Sequence, residues 1–261
     1  MSMNMRYELI RAAEIACTVI KEDFQVAVNN LGTSIDIKPS KNGLPDFVTE
    51  TDRRAEKSIQ KSLSNAFPNV PFVGEESGGS LSQRQFFLVD PLDGTSNFAA
   101  LRDYFGVSIA YIKGDIVKTA VIADPSSGVV VSAERGQGTY IEKRRIVSSQ
   151  YDHDSTYTQL ECELPMSSAE DYEILKKIAP NVSGLRKSGS TVLDILNLVS
   201  GRNIVCLSSG LEPHDIAAGT LILEEAGFSA TDFRGNDVTY QSRELLAAAP
   251  SQHERILKMM I

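Results

Sequence analysis

The sequence predicts an α/β protein in two halves: an α+β half over residues 1–147 and an α/β half over residues 148–261. Three observations predict it. Two helical periodicities open the chain, and six short β-like runs follow, separated by Gly, Pro, Asn and Ser as in a mostly antiparallel sheet. From Tyr157 onward, single strands alternate with helices. Between these regions lies Ser148–Ser155, rich in Ser and Asp, the weakest-patterned stretch and the expected boundary.

Taken in order, Leu9, Ile10, Ala13, Ala16, Val19, Ile20 and Phe24 predict an amphipathic helix over 7–29. A polar loop with Gly32, Pro39, Gly43 and Pro45 leads to a second helix over 52–66, for which Asp52 is the expected N-cap. Strands are expected at 70–74, 86–89, 105–112, 117–123, 129–133 and 138–141. In the second half, 157–164 reads as a strand and 168–178 as a helix opened by Ser168-x-x-Asp171. Helix 191–199, strand 203–207, helix 213–226 with Pro213 in its first turn, and strand 245–249 follow. A last helix is expected to be capped at Ser251.

At 261 residues the chain can bury a full core. Its 26 Lys and Arg against 34 Asp and Glu leave a net charge of −8, which argues against a general affinity for nucleic acid or anionic lipid. The densest basic cluster, Lys143, Arg144 and Arg145, reads as a solvated turn. No apolar run approaches the roughly 20 residues that span a bilayer, and Met1–Arg11 lacks the apolar core and cleavage site of a secretory signal. Cys17, Cys162 and Cys206 read as buried thiols of a reducing compartment, so a cytoplasmic protein is expected. With only three histidines, a His/Cys zinc site is not expected, and any metal is expected on oxygen ligands.

Four acidic patches carry chemistry. In Phe87-Leu-Val-Asp90-Pro-Leu-Asp93-Gly-Thr95-Ser-Asn-Phe98 an apolar strand runs into Asp-Pro, which is expected to end the ladder at Asp90 and project its carboxylate into a cleft. The amides of Gly94 and Thr95 then suit a phosphate if a helix begins there. A bare D-x-x-D is common as a cap or turn; the apolar lead-in and the Pro and Gly punctuation set this one apart. Gly74-Glu75-Glu76-Ser77 is a second strand exit into acids. Asp46-Phe-Val-Thr49-Glu-Thr-Asp52 is a third. In Glu212-Pro-His214-Asp215-Ile-Ala-Ala-Gly219 the small residues imply that another element packs close to Asp215.

Together the patches resemble the inositol monophosphatase family of magnesium-dependent, lithium-sensitive sugar phosphatases, over almost the whole chain. Asp90-Pro-Leu-Asp93-Gly-Thr-Ser-Asn-Phe is a specific form of its DPxDGTxNF signature, and His214-Asp215-Ile-Ala-Ala-Gly stands where the family usually has Trp-Asp. The resemblance implies a layered αβαβα sandwich and two to three Mg²⁺. Glu75, Asp90 and the Leu92 carbonyl would hold one ion, and Asp90, Asp93 and Asp215 a second. A third would lean on Glu75, Glu76 and waters. It implies catalytic roles for Asp46, Thr95 and Glu76, with Asp46 and Thr95 orienting the attacking water. Substrate binding falls to Gly94, Thr95, Ser96, Gly189, Ser190, Thr191, Asp93 and Asp215. The implied substrate is a small phosphorylated polyol or sugar, inositol 1-phosphate by default, and a homodimer is implied.

The sequence departs from the family at two places. Inositol-cleaving members carry a glutamate seven residues before the last metal-binding aspartate, where this chain has Ser208. His214 is expected to pack or hydrogen-bond near the carboxylates. Histidinol-phosphate phosphatase and fructose-1,6-bisphosphatase activities remain alternatives. Ser96-Asn97 argues against the 3′(2′),5′-bisphosphate nucleotidase branch, which carries Lys-Glu there. An inactive regulatory or scaffold relative predicts missing ligands, yet Asp46, Glu75, Asp90, Asp93, Thr95 and Asp215 are all present.

Overall fold

Leu9, Ala12, Ala13, Ala16 and Ile20 form one buried stripe on helix α1 (Met5–Asn29), and Ala55, Ile59 and Leu63 form another on α2 (Glu50–Ala66). Burying each large aliphatic side chain in these stripes contributes about 1.5–3 kcal/mol, which fixes both helices on the sheet beneath. The structure, a computed structural model, describes residues 4–29, 50–151, 159–166 and 169–260. The expected loop at 32–45, Asp46 and the Ser168 cap lie outside the described residues.

The sheet beneath has seven strands in sequential order: β1 (Phe72–Gly74), β2 (Gln85–Asp93), β3 (Gly106–Lys113), β4 (Val117–Ala123), β5 (Val130–Glu134), β6 (Gly138–Ile141) and β7 (Arg144–Ile146). Only β1–β2 is parallel among its pairings. Between β2 and β3 a five-residue helix, α3 (Thr95–Ala99), opens at Gly94. The Arg144–Arg145 pair belongs to edge strand β7 rather than to a turn, because its backbone pairs with Tyr140 and Ile141 while its side chains stay exposed.

The second sheet runs β11-β12-β10-β8-β9, with β8 (Gln159–Glu163), β9 (Gly184–Lys187), β10 (Val205–Ser209), β11 (Ser229–Thr231) and β12 (Glu244–Ala248). Strands β9 and β11, only 4 and 3 residues long, have too short a pattern to be seen in the sequence. Helices α5 (Thr191–Ser200) and α6 (Pro213–Ala226) fill the space between the sheets. Helices α4 (Ala169–Ile178) and α7 (Pro250–Met260) cover the outer face of the second sheet. Ser251 lies inside α7, which begins at Pro250. The layers are therefore αβαβα, as the resemblance implied.

Strand alternation assigns each side chain to a layer. On β10, Val205 and Leu207 join the outer core with Ile174, Ile178, Ile256 and Met260, while Cys206 faces the central helices. Residues as far apart as Val73 and Ala249 share the central core. Gly219 on α6 marks how closely its layer is packed: a Cβ there would lie 2.3 Å from Ile195 Cδ1 of α5. That contact is the close neighbour implied by the small residues after Asp215.

A candidate metal centre between the layers

Strand β2 carries the first two acids, and its path differs from the sequence expectation. Pro91 does not end the strand, which continues to Asp93. Partner β1 has already stopped, with Gly74 opposite Val89, and the register against β3 slips between Asp90 and Asp93. Asp90 pairs with Ser108 and Asp93 with Gly106, so β2 has one residue more than β3 across this step. Pro91 sits in that bulge, where no ladder N–H is required. In a regular strand, residues three apart point to opposite faces; the extra residue returns Asp93 to the side of Asp90.

Carboxylate oxygens of Asp90, Asp93 and Asp215 consequently lie within 4.8 Å of one another. Within the same limit, Glu75 and Asp90 meet His214. Each acid is held from behind. Leu92 N donates to Asp90 Oδ1 at 2.9 Å, and Ser190 Oγ and Val192 N both donate to Asp93 Oδ2 at 2.7 Å. Asp215 forms a capping box with Glu212 at the start of α6, its Oδ2 accepting from Glu212 N at 2.8 Å.

Burial is the main force on their protonation. It pushes Glu75 up to about 8, with the charges of Asp215, Glu76 and Asp52 adding to it while a hydrogen bond with Asp90 opposes. Asp93 rises to about 7 and Asp215 to about 6, and Asp90, buried among Glu75, Asp93 and Asp215, is driven well above the carboxylate range. Burial lowers His214. Four acids this close cannot all be anionic without a cation, and an oxygen-rich set of this kind suits a hard divalent ion. The residues fit Mg²⁺.

Thr95 opens α3 beside this cluster. Gly94 before it takes φ 96°, a left-handed turn that glycine adopts without strain. The Thr95 hydroxyl has two acceptors at 3.0 Å, Asp52 Oδ1 and the Leu92 carbonyl. Asp52 is thus not the N-cap expected from sequence. It lies within the first turn of α2, 1% exposed, and reaches across to Thr95. Asp46, the partner of Thr95 that the resemblance implied, lies outside the described residues.

Glu76 stands beside the cluster rather than in either group. Its amide and that of Ser77 donate to Glu56 Oε2 and Oε1 at 2.8 and 2.9 Å, and its carboxylate lies 3.9 Å from Arg53 Nε. Glu56, which the sequence reading missed, therefore shapes the turn that presents Glu75. A buried acid on the apolar face of α2 was its available signal.

On the far side, a cavity of about 190 Å³ adjoins Asp93 and Asp215 and is lined also by Glu163, Lys187, Gly189 and Thr191. Ser96 is exposed at the start of α3. The hydroxyls of Ser190 and Thr191 are already engaged: Ser190 holds Asp93 and accepts from Leu193 N, and Thr191 donates to Ser208 Oγ at 3.1 Å. Ser208 is fully buried on β10, where it meets Thr191 of α5. Glu212 does not replace the missing glutamate, because it caps α6 and pairs with Arg243 at 2.6 Å. Glu163 and Lys187, which sequence reasoning missed, pair at 3.1 Å, and Glu163 also accepts from Ser188 Oγ at 3.0 Å and from Gly189 N. Asn97 ties α3 to this wall through Tyr104 O and Ser188 O, at 2.8 and 2.9 Å.

Comparison with known proteins agrees with this geometry. A profile described as the inositol monophosphatase family matches residues 3–260. The Nus factor SuhB of Escherichia coli (strain K12) is 32% identical over 260 residues, covering 97% of this chain and 92% of that protein. The crystal structure of the extragenic suppressor protein suhB from Bartonella henselae superposes with a TM-score of 0.87 at 28% identity, over 97% of both chains. The Thermotoga maritima IMPase shares the fold, with a TM-score of 0.82 at 24% identity over 96% of this chain and 94% of that one. With a family profile spanning almost its full length, the chain belongs to the inositol monophosphatase family.

Proposed function

We propose that this protein is a Mg²⁺-dependent phosphomonoesterase that hydrolyses a small polyol or sugar phosphate, with inositol 1-phosphate the first candidate. The observation that carries the proposal is the convergence of Glu75, Asp90, Asp93 and Asp215 on one cleft, with the Thr95 hydroxyl beside them. Glu75, Asp90 and the Leu92 carbonyl would hold one ion, Asp90, Asp93 and Asp215 a second, and Glu75 with Glu76 a third. Bound there, the ions would supply Lewis-acid polarisation of the phosphoryl group and a more acidic water.

The chain's own residues do the rest. The Gly94 and Thr95 amides, at the turn into α3, bind phosphate oxygens. Because Thr95 donates toward Asp52 or Leu92, its oxygen lone pairs remain to accept from the attacking water, and Asp46 is the second group that orients it. Gly189, Thr191, Glu163 and Lys187 line the cavity for the alcohol part. With Ser208 turned into the core, the usual grip on inositol hydroxyls is absent, so histidinol phosphate and fructose 1,6-bisphosphate belong in the same test. The fold is proposed to work as a lithium-sensitive cytoplasmic homodimer; among the described residues no helix is long and apolar enough to cross a membrane.

A second reading rests on the relatives named Nus factor, a name that states no hydrolytic activity. Phosphate release decides between them. We expect release from inositol 1-phosphate or histidinol phosphate to exceed that from fructose 1,6-bisphosphate and adenosine 3′,5′-bisphosphate, and to stop on chelation. Turnover that survives complete chelation would overturn the metal reading. Absence of turnover across the panel with Mg²⁺ present would favour the non-hydrolytic role.

A further inference from the structure

The imidazole of His214 occupies a position that sequence reasoning gave to packing or hydrogen bonding. Its Nε2 lies 3.4 Å from Asp215 Oδ1 and 3.6 Å from Glu75 Oε1. Both separations exceed the roughly 2.7–3.2 Å of a normal N–H···O bond. The separation from Glu75 matches a different relationship. Two atoms each about 2.1 Å from one divalent ion stand about 3.0 Å apart at a right angle and about 3.6 Å apart at a trigonal angle. A ring nitrogen of His214 also lies within 4.8 Å of the Glu75 and Asp90 ligand oxygens, which makes it a third corner of that group.

The ring is held in place. His214 sits in the first turn of α6, between Pro213 and Asp215, and its carbonyl accepts from Ser108 Oγ of β3 at 3.0 Å. Its side chain is only 19% exposed, and the face it presents is toward carboxylates rather than solvent.

We propose that His214 is a direct metal ligand, so that the ion on Glu75 and Asp90 sits in a mixed nitrogen and oxygen site that favours Mn²⁺ or a later first-row ion over Mg²⁺. This rests on reading the carboxylate cluster as a divalent-metal site. It replaces the expectation of an all-oxygen ligand set. Imidazole nitrogen adds little for hard Mg²⁺ and progressively more along the series from Mn²⁺ to Cu²⁺. Among the described residues the group of Asp90, Asp93 and Asp215 includes no histidine, so the two positions would differ in metal preference within one cleft.

The test is pulsed electron paramagnetic resonance of the full-length protein with substoichiometric Mn²⁺, alongside Mn²⁺ and Mg²⁺ titrations by calorimetry. Expected is the strong ¹⁴N coupling of a directly bonded imidazole, absent in His214→Gln, with the preference for Mn²⁺ over Mg²⁺ falling on the order of tenfold in that variant. Should the variant fold poorly, ¹⁵N-histidine labelling of the wild-type protein identifies the imidazole by the changed coupling. Bound Mn²⁺ showing only weak outer-sphere nitrogen coupling would overturn the ligand role while leaving the metal site standing. Failure to bind either ion would overturn the site itself.

Discussion

Two groups of carboxylates, each with one deeply buried member in Asp90 or Asp194, have their charge handled in opposite ways. In the cleft, the hydrogen bonds that Asp93 and Asp215 accept fall on one oxygen of each, and the remaining charge is turned toward other acids. Behind it, Asp194 is completely buried near Glu161 but faces neutral donors. Tyr104 Oη donates to Asp194 Oδ1 at 2.8 Å, Asn197 Nδ2 donates to Tyr104 Oη at 2.8 Å, and Asn203 Nδ2 donates to Glu161. The second group is a polar brace between β8, α5 and the approach to β3. The first is strained unless a cation arrives. What separates a site from a brace is therefore the partner of the charge, since Asp90 is as deeply buried as Asp194.

The comparison breaks most visibly at Asp90, the acid shared by both candidate metal groups. Asp90→Asn should lower Mg²⁺-dependent turnover roughly a thousandfold, the loss of about 4 kcal/mol of transition-state stabilisation. In the absence of metal the same variant should melt higher than wild type at pH 8, because the wild-type carboxyl must there either repel its neighbours or bear the cost of keeping its proton. A lower metal-free melting temperature at that pH would show that Asp90 is part of a brace after all.

Metal removal sharpens the difference as a function of pH. The folded-state values of Glu75, Asp93 and Asp215 rise to about 8, 7 and 6, above the roughly 4 of unfolded carboxylates. Between those limits the folded protein binds more protons than the unfolded one, so metal-free stability falls as pH rises from 4 to 8. Mg²⁺ reverses this by binding the ionised form. At a hundred times its dissociation constant an ion contributes about 2.7 kcal/mol, or roughly 5–10 °C for a chain of this size. Thermal melts with chelator and with Mg²⁺ should differ by that amount at pH 8 and by much less at pH 5. Equal gaps at both pH values would contradict the origin assigned to the raised values.

Much of this site was legible in the residues because its signals are local. Asp90-Pro-Leu-Asp93-Gly-Thr places a proline, a glycine and two acids within six positions after an apolar strand, and Pro213 with Glu212 and Asp215 announces a helix start. What escaped is long-range. The extra residue that turns Asp93 to the side of Asp90 exists only in register with β3. Asp52 read as a cap because its partner, Thr95, is 43 residues away, and Glu56 drew no notice because the amides it binds lie 20 and 21 residues on. Ser208 and Thr191 similarly face each other only once β10 and α5 have packed. Short edge strands β9 and β11 offered too few residues for a period.

The smallest expected effect tests the brace directly. Burial drives Asp194 well above the carboxylate range, against the pull of its hydrogen bonds, and its buried Oδ2 has no hydrogen-bond partner among the described residues. An acid in that state behaves as a neutral group, and asparagine is nearly its isostere. Asp194→Asn should leave turnover unchanged, shift the melting temperature little at pH 5, and raise it slightly at pH 8, where the wild-type carboxyl pays for retaining its proton. Tyr104→Phe provides the contrast within the same brace. It removes the donor to Asp194 and the acceptor of Asn197 together, at about 1–3 kcal/mol and at both pH values. If Asp194→Asn instead destabilised the protein as much as Tyr104→Phe does, the Asp194 charge itself would be required, and the two carboxylate groups would not differ in the way their donors indicate.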